Sequence, residues 1–82
     1  MRVVHMVHAF VMVQTGVAAS ESLLGRIRDF SPVSEAHIVA GEYDIIVELE
    51  TEEVYEILQT TTSEIQSLDG VLGTRTYMSL ED

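Results

Sequence analysis

Three observations predict an α+β domain built in the order βαββαβ. Two β-branched runs, Ile38-Val39-Ala40 and Ile45-Ile46-Val47-Glu48-Leu49, flank a polar hinge, Gly41-Glu42-Tyr43-Asp44, and read as antiparallel strands joined by a tight reversal. A stretch with apolar residues at helical spacing lies on each side of that pair. A weak internal repeat relates the two halves: Ile27, Phe30, Val33 and Ile38 align with Ile65, Leu68, Val71 and Thr76, each 38 positions further on. Two βαβ halves so related suit a ferredoxin-like fold, a four-stranded antiparallel sheet with both helices on one face.

The first strand is expected over Val7–Gln14. Ala9, Val11 and Val13 form one alternating set, Phe10 and Met12 the other, so both faces of this strand need cover. Thr15-Gly16 ends it. Ser20 is the expected N-cap of the first helix, with Glu21 in its first turn. Leu23, Leu24, Ile27 and Phe30 mark the helix's apolar face, and Ser31-Pro32 stops it, because a residue preceding proline avoids the helical region.

The second strand is expected over Val33–Ala40 and the third over Asp44–Glu50. Thr51 is the expected cap of the second helix, with Glu52 and Glu53 at the positive end of its dipole. Val54, Leu58, Ile65 and Leu68 are its expected buried stripe, with Thr61 between. The run Thr60-Thr61-Thr62-Ser63 has poor helix propensity, so packing must hold it. Asp69-Gly70 closes the helix, and Val71–Leu80 is the fourth strand.

The 82 residues form a single expected domain, with its core at about 7–80. A chain of this size buries only about 60% of its unfolded surface, and without cysteine no disulfide or thiolate metal site can staple it. Two helices cover one sheet face, while the other face keeps apolar side chains from the first and third strands. Face-to-face packing of two sheets, about 10 Å apart, is the simplest cover, so a homo-oligomer is expected.

The net charge is −10, from 14 acidic residues against four arginines and no lysine. Such a surface repels a phosphate backbone, which argues against direct nucleic-acid binding. An acid-rich, lysine-free surface suits a high-salt cytoplasm, and a halophilic source is expected. No apolar run approaches the length of a membrane-spanning helix, and the amino end shows no signal-peptide pattern, so the expected location is the cytoplasm.

No cofactor, metal site or catalytic group is expected. His5 and His8, three apart on a strand, point to opposite faces, and His37 has no second ligand patterned near it. The glutamates are spread along a solvated face, and no serine has a nucleophile context. The hinge is the better candidate. Gly41 exposes backbone N–H groups, Asp44 offers a carboxylate beside them, and Thr74 and Thr76 share one face of the fourth strand. A backbone loop, an acid and hydroxyls together can hold the ammonium and carboxylate of an amino acid. The plainer alternative is that Asp44 organises the turn and the threonines are ordinary strand residues.

Three segments carry a resemblance: A-F-V-x-V at Ala9–Val13, P-V-x-E-A-H-x-V-x-G-E-Y-D at Pro32–Asp44, and G-V-x-x-T-x-T at Gly70–Thr76. Together they resemble the effector-binding domain of the leucine-responsive regulator/AsnC family of transcription regulators, also called the regulation-of-amino-acid-metabolism domain. The resemblance implies sheet-to-sheet dimers of the dimeric α/β-barrel type and rings of four dimers. It also implies an amino-acid effector held between dimers near the hinge. Carried over, the ligand-contacting positions are Gly41, Tyr43, Asp44, Thr74 and Thr76. Full-length members carry an amino-terminal helix-turn-helix; with the first strand starting near residue 7, this chain is expected to be a stand-alone version that senses amino acids or co-assembles with full-length regulators. The rival readings are a small α/β-barrel enzyme such as a monooxygenase and a purely structural hetero-oligomerisation partner. The absence of Trp and Asn weakens the enzyme reading.

Overall fold

The computed structural model describes residues 6–80. Strand β1 (Val7–Thr15), helix α1 (Ser20–Arg28), strands β2 (Val33–Ile38) and β3 (Ile45–Thr51), helix α2 (Val54–Gln59) with a π-helical continuation at Thr60–Ile65, and strand β4 (Val71–Met78) follow in the expected order. The sheet order is β2-β3-β1-β4 and every neighbouring pair is antiparallel. Helix α1 lies over β2 and β3; α2 and its π turn lie over β3 and β4. This is the ferredoxin-like βαββαβ arrangement.

The core is one alternating set from three strands closed by the helices. Ala9, Val11 and Val13 of β1, Ala36 of β2, and Ile45, Val47 and Leu49 of β3 meet Leu23 and Ile27 from α1 and Ile57, Ile65 and Leu68 from the second helical stretch. The repeat is structural. Ile27 and Ile65 are both fully buried, and Val33 and Val71 open β2 and β4. Ile38 and Thr76 pair with Ile45 and Val11, so both face the helices.

The second helix departs from its expected stripe. Val54 and Leu58 are 48% and 52% exposed, whereas Ile57 is fully buried. The cause is the π turn: Gln66 N–H donates to Thr61 O at 3.0 Å, an i→i+5 bond that widens the helix and turns Ile57, Thr60, Thr61, Ile65 and Leu68 toward the sheet. The expected cap at Thr51 is also corrected. Thr51 ends β3, its buried hydroxyl donates to Glu53 O at 2.7 Å, and Glu53 occupies the N-cap with no side-chain bond. Likewise Ala19, not Ser20, precedes α1 as the cap; Ser20 Oγ instead shares a 3.0 Å hydrogen bond with Thr15 Oγ1.

The π turn buries the Thr61 hydroxyl without a hydrogen-bond partner. A buried unsatisfied hydroxyl is costly, so Thr61→Val is expected to raise unfolding stability by about 1 kcal/mol in a urea titration. A loss of stability would show that the hydroxyl is satisfied in solution.

The sheet face away from the helices is left bare, and its register arranges two rows across the four strands. One row runs Glu35, Glu48, Phe10, Tyr77; the next runs His37, Ile46, Met12, Arg75. The apolar part is therefore a central strip of Phe10, Met12 and Ile46, narrower than the sequence implied. Acids and His37 lie on the β2–β3 side, His8 on β1, and a cation on β4. His8 Nε2 lies 3.1 Å from Glu48 Oε1 and its ring stacks on Phe10 at 5.0 Å, while His37 Nε2 lies 3.2 Å from Glu35 Oε1.

Candidate functional site

The hinge closes because Val39 N–H donates to Asp44 O at 2.9 Å, which brings the two ends of the reversal together. Gly41 sits within it at φ 155°, a conformation side-chain-bearing residues rarely adopt. Asp44 then ties the hinge to the carboxyl end of β1 twice. Its N–H donates to Val13 O at 2.9 Å, and its carboxylate accepts from Thr15 N–H at 2.8 Å. Thr15 is buried and its hydroxyl continues the chain of contacts to Ser20 Oγ at the start of α1. Asp44 therefore does organise the turn, and its carboxylate is already bonded at one oxygen.

An open recess of about 400 Å³ is lined by Ala18, Ser20 and Glu21 from the β1–α1 junction and by Ile38 at the end of β2, and by none of the hinge residues 41–44. Ala18 holds a positive φ of 61°, which bends the β1–α1 loop around the recess. Val17 at the tip of that loop is fully exposed, and Ile38 is 45% exposed.

The other candidate residues are not gathered here within one protomer. Thr74 and Thr76 pair with Val13 and Val11, so they face the helices, on the far side of β1 from the hinge. Thr74 Oγ1 accepts from Gln66 Nε2 at 2.7 Å, and a separate recess of about 280 Å³ is lined by Gln66, Val71, Leu72, Gly73 and Thr74. Tyr43 and Glu42 of the hinge act electrostatically on Arg75 of β4. The Arg75 guanidinium is held above the usual arginine range, chiefly by a hydrogen bond to Tyr77, then by the neighbouring Tyr43 and Tyr77 phenols and by Glu42, with burial acting weakly in the other direction. Gly41 is exposed and Tyr43 half-buried.

Sequence reasoning missed Thr15, Ser20 and Gln66. Thr15 and Ser20 flank the glycine of the first strand–helix loop, a signal for a polar contact at that junction. Nothing in the spacing pairs Gln66 with Thr74, because the contact depends on how the π turn rotates the helix.

His5 lies outside the described residues. His37 does not line a deep pocket: its side chain is 57% exposed, beside an open recess of about 340 Å³ along β2. Arg28 crosses the outer edge there, donating to Ala36 O from Nε at 3.1 Å and Nη2 at 2.7 Å, and so occupies an edge-strand carbonyl. Among the described residues no group of three or more His, Asp or Glu side chains is arranged to hold a metal, and no helix is long and apolar enough to cross a membrane.

Comparison with solved structures places the chain beside TTHA0845 from Thermus thermophilus. The two share 28% identity with a TM-score of 0.88, over 93% of this chain and 95% of that one. A hypothetical protein from Pyrococcus horikoshii, PHS023, matches at 28% identity and a TM-score of 0.84, over 93% and 92%. Transcriptional regulator NMB0573 from Neisseria meningitidis, solved as a complex with L-Met, has a TM-score of 0.82 at 19% identity, a likeness of fold. The match covers 93% of this chain but only 51% of that regulator. No curated protein matches the chain. The family model described as the Lrp/AsnC ligand binding domain matches residues 8–82. Nearly the whole chain is covered, the fold agrees, and the hinge of that pattern stands where β1, β3 and α1 converge: the protein belongs to the Lrp/AsnC ligand-binding-domain family.

Proposed function

We propose that this protein is a non-enzymatic sensing and oligomerisation module that binds an amino acid where copies meet, beside the hinge. The observation that carries this reading is the Gly41–Asp44 hinge itself. It is a glycine-containing reversal whose acid is clamped to Thr15; Thr15 in turn bonds Ser20, which with Ile38 at the end of β2 lines an open recess. Asp44 is the group for the ligand's ammonium, and the backbone around Gly41 and the Tyr43 phenol are groups for its carboxylate. Thr74 and Thr76 lie across β1 from the hinge, so their role in the same site needs a neighbouring copy to bring them opposite it. Self-association through the bare sheet face gives the dimer, and further contacts between dimers build the ring. The L-Met bound by the Neisseria regulator supports an amino acid as the ligand class. Through mixed assembly the module acts on full-length regulators of the family.

The test is a thermal-shift screen of the twenty amino acids at saturating concentration. A ligand at a hundred times its Kd stabilises by about 2.7 kcal/mol, which for a domain this small raises Tm by about 10–20 °C. Asp44→Asn keeps an oxygen for the Thr15 N–H but removes the charge. The unliganded variant is expected to melt within a few degrees of the parent and to lose the ligand-induced shift. If no amino acid moves the melting temperature of the oligomeric protein, sensing is overturned in favour of a purely structural role.

A further inference from the structure

Helix α2 has two apolar sides, and the core uses one of them. Ile57 is fully buried, and the π turn that follows buries Thr60, Thr61 and Ile65 with it. Val54, Tyr55 and Leu58 are left in solvent, 48%, 67% and 52% exposed. Leu58 follows Val54 at i+4 and Tyr55 at i+3, so the three are surface neighbours and make one patch. Among the described residues the other exposed large apolar side chains are dispersed: Val17 in a loop, Ile38 at the end of β2, Leu72 and Tyr77 on β4, and Met6 and Leu80 outside the strands. Single apolar residues are ordinary on a protein surface, whereas a gathered patch marks a place of contact. Helix formation does not ask for these residues either, since Val and Tyr are poorer helix formers than Ala, Glu or Lys.

The rim of the patch carries one sign of charge. Glu52, Glu53 and Glu56 are exposed around it, and no Lys or Arg occurs between Arg28 and Arg75. The ion pairs of the described residues, His8–Glu48 and His37–Glu35, lie on the sheet, so neither neutralises these three acids. Acids in a first turn suit the helix dipole, but the dipole does not account for the apolar trio beside them. A second copy docked here sets like charge against like, and a nucleic acid or an anionic membrane is repelled in the same way. The complementary occupant is cationic. The patch is the convex flank of a helix, the shape against which another helix packs its ridges. The helices cover the sheet face opposite the bare one, so self-association through the bare face leaves the patch uncovered.

We infer that Val54, Tyr55 and Leu58 form a docking surface for a basic amphipathic helix of another protein. The partner's apolar stripe, at i, i+3 and i+4 spacing, seats on the three side chains, and Lys or Arg on its flanks meets Glu52, Glu53 and Glu56. Tyr55 is the anchor, a large side chain with few rotatable bonds and a polar tip. The glutamates steer the encounter and turn away acidic partners, which gives the surface its selectivity. This contact is separate from the hinge and from the bare sheet face, and it requires neither an effector nor a second copy.

The experiment is fluorescence anisotropy of labelled synthetic peptides titrated with the full chain at low salt. The probe is a helical peptide of about 15 residues with leucines along one face and lysines on both flanks. One control replaces its lysines with glutamates; the other scrambles the order so that the leucines share no face. The lysine probe is expected to bind at least about tenfold more tightly than either control. Tyr55→Ala/Leu58→Ala is expected to weaken the probe at least about tenfold. Glu52→Gln/Glu53→Gln/Glu56→Gln is expected to weaken it about tenfold at low salt, a gap that closes in molar salt. All five positions are exposed, and circular dichroism checks that each variant is folded. A probe that does not bind, or that binds the Tyr55→Ala/Leu58→Ala variant as tightly as the parent, overturns the inference; the second result reduces it to a general attraction of an acidic surface. Equal binding of the scrambled peptide does the same. A fall in the mass of the assembly on Tyr55→Ala/Leu58→Ala in sedimentation also overturns it, because the patch is then a contact between copies.

Discussion

Met12→Asp is expected to leave the protein folded but monomeric. Met12 sits half-buried at the centre of the bare face, between Ile46 and Arg75 in its row. Nothing on the helix side touches it, because β1 alternates and its core positions are Ala9, Val11 and Val13. Substitution therefore spares the protomer. In a face-to-face dimer it removes a buried apolar side chain and puts a carboxylate in the middle of the apolar strip, once in each copy, where the neighbouring Arg75 offsets only part of the desolvation. The summed cost is at least about 4 kcal/mol, or roughly a thousandfold in Kd. Sedimentation at micromolar concentration reads the result directly. An unchanged oligomer would mean that the copies meet through another surface, and the reading of the bare face as the interface would fall.

Ile57→Ala is expected to cost about 3 kcal/mol of stability, and Leu58→Ala less than about 1 kcal/mol. The two residues are neighbours of the same size, and helical spacing from Val54 and Ile65 points to Leu58 as the buried one. In the fold Ile57 is fully buried in the core cluster and Leu58 is 52% exposed. Deleting Ile57's methyl groups opens a cavity under α2, while deleting Leu58's removes side chain already largely in water. Chemical denaturation of the two alanine variants decides the matter. Equal losses would mean that the π turn at Thr60–Ile65 does not persist in solution and that the helix is regular. The same rotation buries Thr60 and Thr61 together, so the Thr61→Val measurement reports on it independently.

The contrast between those two residues shows where the chain's local code runs out. Alternation along β1 and β3 sorted the residues into two sets, because a strand's period of two is rigid, while the fold decided that Ala9, Val11, Val13, Ile45, Val47 and Leu49 are the core set. The 38-residue offset placed Val33 and Val71 at the starts of β2 and β4. Helical phase was less secure. A single i→i+5 bond shifts the buried stripe of α2, and the poor helix formers from Thr60 to Ser63 signalled trouble without specifying its form. Caps failed for a related reason: Thr51 and Ser20 are typical capping residues, yet each hydroxyl found a nearer partner once the strand ends were in place.

The candidate site divides in the same way. The hinge was legible because glycine and an acid between two β-branched runs make a local signal, and Asp44 bonds within its own neighbourhood and to the strand beside it. The face on which Thr74 and Thr76 lie was not, since two threonines two apart share a face without saying which. That was settled by the pairing of β4 with β1, which sets them opposite Val13 and Val11, under the helices. Arg75 gave no signal at all as a single residue in a polar run. Its place across from the acidic flank exists only when four strands lie in register.

The order of elements, the core strands and the hinge follow from the amino-acid pattern, because each depends on interactions between residues close along the chain or on a strand's fixed alternation. The phase of α2, the faces of the two threonines and the separation of charges across the bare sheet belong to the folded molecule. They arise from contacts between residues tens of positions apart, and no local propensity encodes which of those meet.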